Sequence, residues 1–217
     1  MIILKGEFVT FEGLDHCGKT TLINKLGYTL RDFKYYSDPS HEVFDGHIRE
    51  WLQFNHLNDE AELFLYLASR ALLAEKIKED MDNGINVICD RWADSTLVYQ
   101  GYFKNWYDKI PLPHFSTMNR IATLGFRDEE DFCGLVPDLT IFLDTPIEIC
   151  QNRLQKNAES KYDKKMKNLA NLKRVRESYL FLIKQDVTDR WAVIDGYQDI
   201  ESIVNQTIQI IKERLCL

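Results

Sequence analysis

The segment Gly13-Leu14-Asp15-His16-Cys17-Gly18-Lys19-Thr20 constrains this chain more than any other, because it fits G-x-x-x-x-G-K-[ST] at every position. The pattern requires a buried strand running into it and a helix leaving it. Glu7 to Phe11, with Phe8, Val9 and Phe11, reads as the strand. Lys19 to about Asp32 reads as the helix, with Leu22, Ile23, Leu26 and Leu30 on one face. Gly13 and Gly18 permit the tight turn that aims successive backbone N–H groups at phosphate oxygens. The helix adds its partial positive N-terminus. In such a loop Lys19 reaches the β- and γ-phosphates of ATP and the Thr20 hydroxyl binds Mg²⁺. Leu14, Asp15, His16 and Cys17 supply loop backbone, and Thr21 borders the site although it also reads as helix filler. A glycine turn that merely joins strand to helix is the competing reading.

The rest of the chain repeats the strand-then-helix alternation. Lys34 to Ser37, Asn86 to Cys89, Leu139 to Leu143 and Trp191 to Ile194 are short strand-like runs. The last three end at Asp90, Asp144 and Asp195. Helical patterns fall at 45–55, 59–83 (with Asp59 as N-cap and Gly84 as stop), 94–103, 147–156, 169–185 and 200–215. This alternation predicts an α/β fold, a parallel five-stranded sheet with helices on both faces joined by right-handed crossovers. Lys104 to Pro113 and Phe126 to Gly134 read as irregular, and 157–168 as a lysine-rich flap. No internal repeat or low-complexity linker divides the 217 residues, so one domain is expected over 1–217.

A formal net charge of −7 argues against a nucleic-acid-binding face. Apolar runs such as Leu139 to Leu143 are too short to span a bilayer, and Lys5, Gly6 and Glu7 interrupt any apolar leader. A cytoplasmic protein without membrane partners is expected. The five cysteines show no C-x-x-C pairing, so reduced thiols are expected rather than zinc or disulfides. The chain has no N-K-x-D for reading guanine, no G-x-S-x-G and no H-E-x-x-H.

Asp90-Arg91 follows its strand directly, and in an open parallel sheet ligands sit beyond the carboxyl ends of strands. Asp90 is therefore placed to hold Mg²⁺ through water. Arg91 is placed to clamp phosphates across a donor–acceptor gap, a task suited to a guanidinium fork. A helix cap beside a surface arginine is the alternative.

Five segments follow in one order: Phe11-Glu12-Gly13-Leu14-Asp15, Asp90-Arg91-Trp92, Ser95 to Gly101, Pro137-Asp138-Leu139-Thr140 with Asp144, and Val175-Arg176-Glu177-Ser178-Tyr179. That order resembles the thymidylate kinases, over nearly the whole chain. The resemblance implies a P-loop kinase fold, ATP and dTMP as ligands, Mg²⁺, and a homodimer. It implies that Asp15 meets the acceptor's 3′-hydroxyl, Tyr66 stacks on thymine and Arg70 hydrogen-bonds the base. Tyr66 and Arg70 lie four apart on one helical face, where periodicity alone would make Tyr66 core. Arg49 falls near the acceptor phosphate and Asp38-Pro39 at a family turn. Ser95, Thr96, Tyr99 and Gln100 fall along the acceptor pocket, and Arg153 falls near the nucleotide. A mobile lid over about 156–168 would bring Lys161 to the transferred group, where many relatives carry arginine.

Lysine offers a point charge without a fork, and a solvated lysine run is the plainer reading of Lys161. A second departure follows Gly101, where Tyr102-Phe103-Lys104-Asn105-Trp106 replaces small residues and the stretch to Pro137 is lengthened. Another kinase of the same fold, or a non-catalytic nucleotide-binding module, are the alternatives in function.

Overall fold

The computed structural model describes residues 5–43, 46–124, 134–157 and 166–216. Its centre is a sheet of five parallel strands: β1 (Phe8–Glu12), β2 (Phe33–Ser37), β3 (Asn86–Asp90), β4 (Leu139–Asp144) and β5 (Trp191–Asp195). They lie in the order β2-β3-β1-β4-β5. β1 is central and wholly buried, and pairs with β3 on one side and β4 on the other. Strands covered on both faces read as continuous apolar runs, which explains Phe8 to Phe11 and Leu139 to Leu143.

Alternation along the strands sends side chains into two cores. Val9, Phe11, Ile88 and Ile141 pack with Leu22 and Leu26 of α1 (Lys19–Leu26) and with Ile203 and Ile211 of a C-terminal helix, Ile200–Leu215. Leu172, Val175 and Tyr179 from the Leu169–Gln185 helix join that core. Phe8, Val87 and Cys89 point the other way, onto Leu73, Ala74, Ile77 and Met81 of the long helix Asp59–Asp82. A fully buried leucine in such a core contributes about 1.5–3 kcal/mol. In chain order the remaining helices are α2 (His47–Phe54), α3 (the Asp59–Asp82 helix), α4 (Ala93–Thr96), α5 (Trp106–Lys109), α6 (Leu112–Ile121) and α7 (Ile147–Asn157). The Leu169–Gln185 and Ile200–Leu215 helices are then α8 and α9. Among the described residues no helix is long and apolar enough to cross a membrane.

Several sequence expectations need correction. Helix α1 stops at Leu26 and not near Asp32: Gly27 caps it, and Leu30 reaches the core from a turn that donates its N–H to the Leu26 carbonyl. The N-cap of α3 is Asn58 and not Asp59, because the Asn58 side chain accepts from the Ala61 N–H at 2.8 Å. The helix expected over 94–103 starts as α4 but widens into a π-helix at Leu97–Phe103. The stretch read as irregular at 104–113 instead holds α5 and the start of α6. Pro111 and Pro113 fall at the N-cap and in the first turn of α6, where a missing N–H costs no helical bond. The acidic stretch at 126–133, Cys133 and most of the proposed lid, with Lys161, lie outside the described residues.

Candidate active site

All five strands end at the same sheet edge, and the loop from Gly13 to Thr20 rises there between β3 and β4, where the strand order diverges. Gly13 adopts φ 151°, and a side chain on it would collide with the Leu143 carbonyl oxygen at 2.9 Å. Gly18 leads α1 in a left-handed conformation with no side-chain cap, so the first N–H groups of the helix are left for an anion. The Thr145 hydroxyl and Arg153 Nη1 each donate to the Cys17 carbonyl at 2.9 Å. Arg153 Nη1 also donates to the His16 carbonyl at 3.2 Å. These bonds fix the carbonyls of His16 and Cys17.

Lys19 is buried, and its ammonium donates to the Gly13 and Leu14 carbonyls at 3.2 and 3.0 Å. In front of the loop lies a cavity of about 610 Å³. His16 to Thr21 form one wall; Arg153, Leu143, Gly196, Gln198, Ile200 and Ile203 form the others. Leu14 contributes its backbone only, since its side chain is wholly in the core. Cys17 is equally buried.

Thr20 and Asp90 meet as the sequence suggests, the hydroxyl donating to Asp90 Oδ2 at 3.4 Å. The other carboxylate oxygen, Oδ1, is buried without a hydrogen-bond partner. A hydroxyl beside an unsatisfied carboxylate oxygen fits Mg²⁺, a hard cation bound by few protein oxygens together with phosphates and water. Among the described residues no cluster of three or more His, Cys, Asp or Glu could hold a metal by itself.

Arg91 organises the centre. Its backbone is left-handed at φ 72° and its N–H bonds to the Phe11 carbonyl at 2.9 Å. Nη2 pairs with Asp15 Oδ1 at 2.7 Å and donates to the Tyr99 hydroxyl at 3.3 Å. Nη1 donates to Ser95 Oγ at 3.0 Å and to the Tyr179 hydroxyl at 3.2 Å. The guanidinium also stands 5.0 Å over the Tyr99 ring. Tyr99 donates to Asp15 Oδ2 at 3.1 Å, closing a ring through the phosphate loop. Under this group lies Glu12, wholly buried, whose carboxyl is pushed up by burial, with Arg91 opposing the shift.

A second polar cluster lies deeper, on the side of α3. Arg70 is buried, and its Nε and Nη2 reach one oxygen of Asp38 at 2.7 and 2.6 Å. Its other bonds go to Asn119 Oδ1 at 2.6 Å, Thr96 Oγ1 at 2.8 Å and the Trp92 carbonyl at 3.3 Å. Burial pushes the Asp38 carboxyl up, and the Arg70 charge opposes it. One turn before Tyr66 on α3, the buried Glu62 accepts from Gln100 Nε2 at 2.9 Å and pairs with Lys104. Two helical ladders thus face each other, Glu62 and Arg70 against Gln100 and Thr96, with Tyr66 between the rungs of the first. Tyr66 is half-buried; burial raises its phenol, and Glu62, Asp15 and Asp38 act in the same direction. Arg49 arrives from α2 and donates to the Pro39 carbonyl at 3.0 Å and to Ser37 Oγ at 3.3 Å. Burial lowers its guanidinium, and Asp90 opposes the shift.

A family model described as thymidylate kinase matches residues 11–207. The thymidylate kinase of Caldanaerobacter subterraneus subsp. tengcongensis is 34% identical over 220 residues, covering 98% of each chain. That of Kosmotoga olearia is 34% identical over 210 residues and 93% of each chain. That of Bacillus cereus is 32% identical over 221 residues, 98% of this chain and all of its own. The chain belongs to the thymidylate kinase family.

For a member of this family, the structure gathers the sequence candidates into three groups: Gly13 to Thr21 with Arg153, Arg91 with Asp15, Ser95 and Tyr99, and Arg70 with Asp38 and Thr96. Gln100 donates to Glu62, and Thr96 accepts from Arg70. Sequence reasoning missed Glu12 and Tyr179 as parts of the site, although both stand in the segments that carry the resemblance. It also missed Asn119, in the lengthened stretch, and the wall made by Gly196, Gln198, Ile200 and Ile203. A strand-end carboxylate immediately before a G-x-x-x-x-G-K loop was the available signal for Glu12. Nothing local marks the others, since their role depends on distant packing.

Proposed function

We propose that this chain transfers the γ-phosphoryl group of ATP to dTMP, giving dTDP and ADP for dTTP synthesis, by in-line displacement with Mg²⁺. Membership of the family makes the chain a nucleoside-monophosphate kinase, an ATP-dependent phosphotransferase. The observation that carries the assignment of roles is Arg91, whose one guanidinium joins Asp15 of the phosphate loop to Ser95 and Tyr99 of the acceptor side.

Phosphoryl transfer asks a protein mainly to position the reactants and neutralise charge. The loop amides, Lys19 and Arg153 hold the triphosphate in the cavity before α1. Thr20 and Asp90 would hold Mg²⁺, which would supply positive charge to offset that of the phosphates. Arg91 faces the gap and stabilises charge on the transferred group. Asp15 orders the acceptor sugar, Arg49 its phosphate, and Tyr66, Arg70, Thr96 and Gln100 the base. The lid over 156–168 contributes Lys161 as a further cation and excludes water. A second copy covers α3, where Phe64 and Leu72 stand exposed eight residues apart; sedimentation at monomer mass would remove that part.

The test is an acceptor panel of dTMP, dUMP, dCMP, AMP and deoxynucleosides with ATP and Mg²⁺, read by coupled ADP release. Preference for dTMP supports the reading; preference for another acceptor replaces it with a sister kinase. Arg91→Ala should lower turnover by about a thousandfold or more with the fold intact, and Lys161→Ala should lower kcat with little change in the KM for dTMP. Unchanged turnover in either variant removes that residue from the mechanism.

A further inference from the structure

We propose that Glu12 is a positioning residue that sets the Arg91 guanidinium for transfer by accepting the hydroxyl hydrogen bonds of Ser95 and Tyr179. This rests on the role given above to Arg91. Glu12 ends β1 just before the phosphate loop and exposes none of its surface. Its Oε1 accepts from the Trp92 backbone N–H at 2.9 Å. Its Oε2 accepts from Ser95 Oγ and from the Tyr179 hydroxyl, each at 2.7 Å.

Proton bookkeeping gives the network its direction. A hydroxyl has one proton to donate. Ser95 and Tyr179 also lie 3.0 Å from each other, but the carboxylate is the closer and charged acceptor, so both hydroxyls donate to it. The two oxygens are then left as pure acceptors, and they face Arg91 Nη1 at 3.0 and 3.2 Å. Glu12 Oε2 forms an ion pair with Nη1 at 3.9 Å, beyond hydrogen-bond length, so its hydrogen bonds reach the arginine only through the two hydroxyls. The bond to the Trp92 N–H pins the residue that follows the left-handed Arg91 backbone. Burying a carboxylate is costly unless it is hydrogen-bonded and paired, and a tie between β1 and α8 could be made with apolar side chains at no such cost. Every partner of Glu12 is instead Arg91's neighbour in sequence or its hydrogen-bond acceptor.

Glu12→Gln keeps the volume but replaces an acceptor by an N–H donor. With the amide nitrogen at the Oε2 position at least one hydroxyl turns its proton toward Arg91; with it at the Oε1 position it opposes the Trp92 N–H and displaces the side chain. In steady-state assays with ATP, dTMP and Mg²⁺, kcat should fall roughly a hundredfold while both KM values stay within about threefold, as expected for a misplaced catalytic group. The same substitution placed in an Arg91→Ala background should cost almost nothing further, because its effect passes through Arg91. Tyr179→Phe, which leaves the carboxylate untouched, should give a smaller loss of kcat with the same KM pattern. It decides the matter should Glu12→Gln fail to fold, and full turnover in it would then overturn the proposal. Full turnover in Glu12→Gln, with Arg91→Ala inactive, sinks this proposal alone. An equal loss in both backgrounds reduces Glu12 to a structural tie. Full turnover in Arg91→Ala removes the role of Arg91 and this proposal with it.

Discussion

At the scale of single residues, the site is a set of buried charges whose partners are supplied by other elements. Arg70 and Asp38 come from α3 and from the end of β2, and neither is exposed. Removing one member of such a pair strands the other: Asp38→Ala should cost about 3–5 kcal/mol, measured by urea unfolding. A cost below 1 kcal/mol would mean that water reaches Arg70. Glu12 makes a pH-dependent prediction. Burial raises its folded-state carboxyl above the ordinary value. The folded chain then holds that proton more tightly than the unfolded chain, so the contribution favours folding below the unfolded value and is lost as pH climbs through the folded one. The unfolding free energy of Glu12→Gln, relative to the native protein, should therefore rise with pH from the carboxyl range upward. A flat or falling difference would show that the carboxylate is not penalised by its surroundings. None of these pairings could be read from the residues alone, since Glu12 and Tyr179 are 167 positions apart.

Elements carry the next level of specification. The strands are short and apolar and end at acids or a serine, and their limits match the sequence expectation to within a residue or so. The helices 169–185 and 200–215 match as well, because each has a capping side chain, Asn168 or Asp199, and a sustained periodicity. Where periodicity continued past a glycine, as at Gly27, the expectation ran too far. Where prolines opened a helix, as at α6, it saw only irregularity. Asn58 shows how local the remaining information is: it caps α3, which carries Glu62, Tyr66 and Arg70, through one bond to Ala61. Asn58→Ala should lower stability by about 1 kcal/mol in urea titrations. No change would mean that packing alone holds the first turn. The widening at Leu97–Phe103 had no legible signal; it accompanies the packing of Gly101 against the Tyr107 ring, a contact between neighbouring elements.

For the whole molecule, the consequence of the fold is a cavity before α1, walled by a loop near the N-terminus and by the start of α9 near the C-terminus. Nucleotide filling it should stabilise the entire cooperative unit. ATP at a hundred times its dissociation constant should add about 2.7 kcal/mol to unfolding, seen as a rise in melting temperature. A melt unmoved by ATP would take the nucleotide out of this cavity. The sequence by itself determined the phosphate loop and the parallel sheet, because these depend on residues close together in the chain and on a periodicity that local sterics enforce; the kinase class came from the resemblance of five ordered segments to the thymidylate kinases. The tertiary structure alone decided which charges meet, that Arg70 is clasped by Asp38 and Asn119, and that Glu12 lies beneath Arg91. Those contacts join strand ends and helix faces far apart in the chain, and only their packing brings the groups within hydrogen-bond reach.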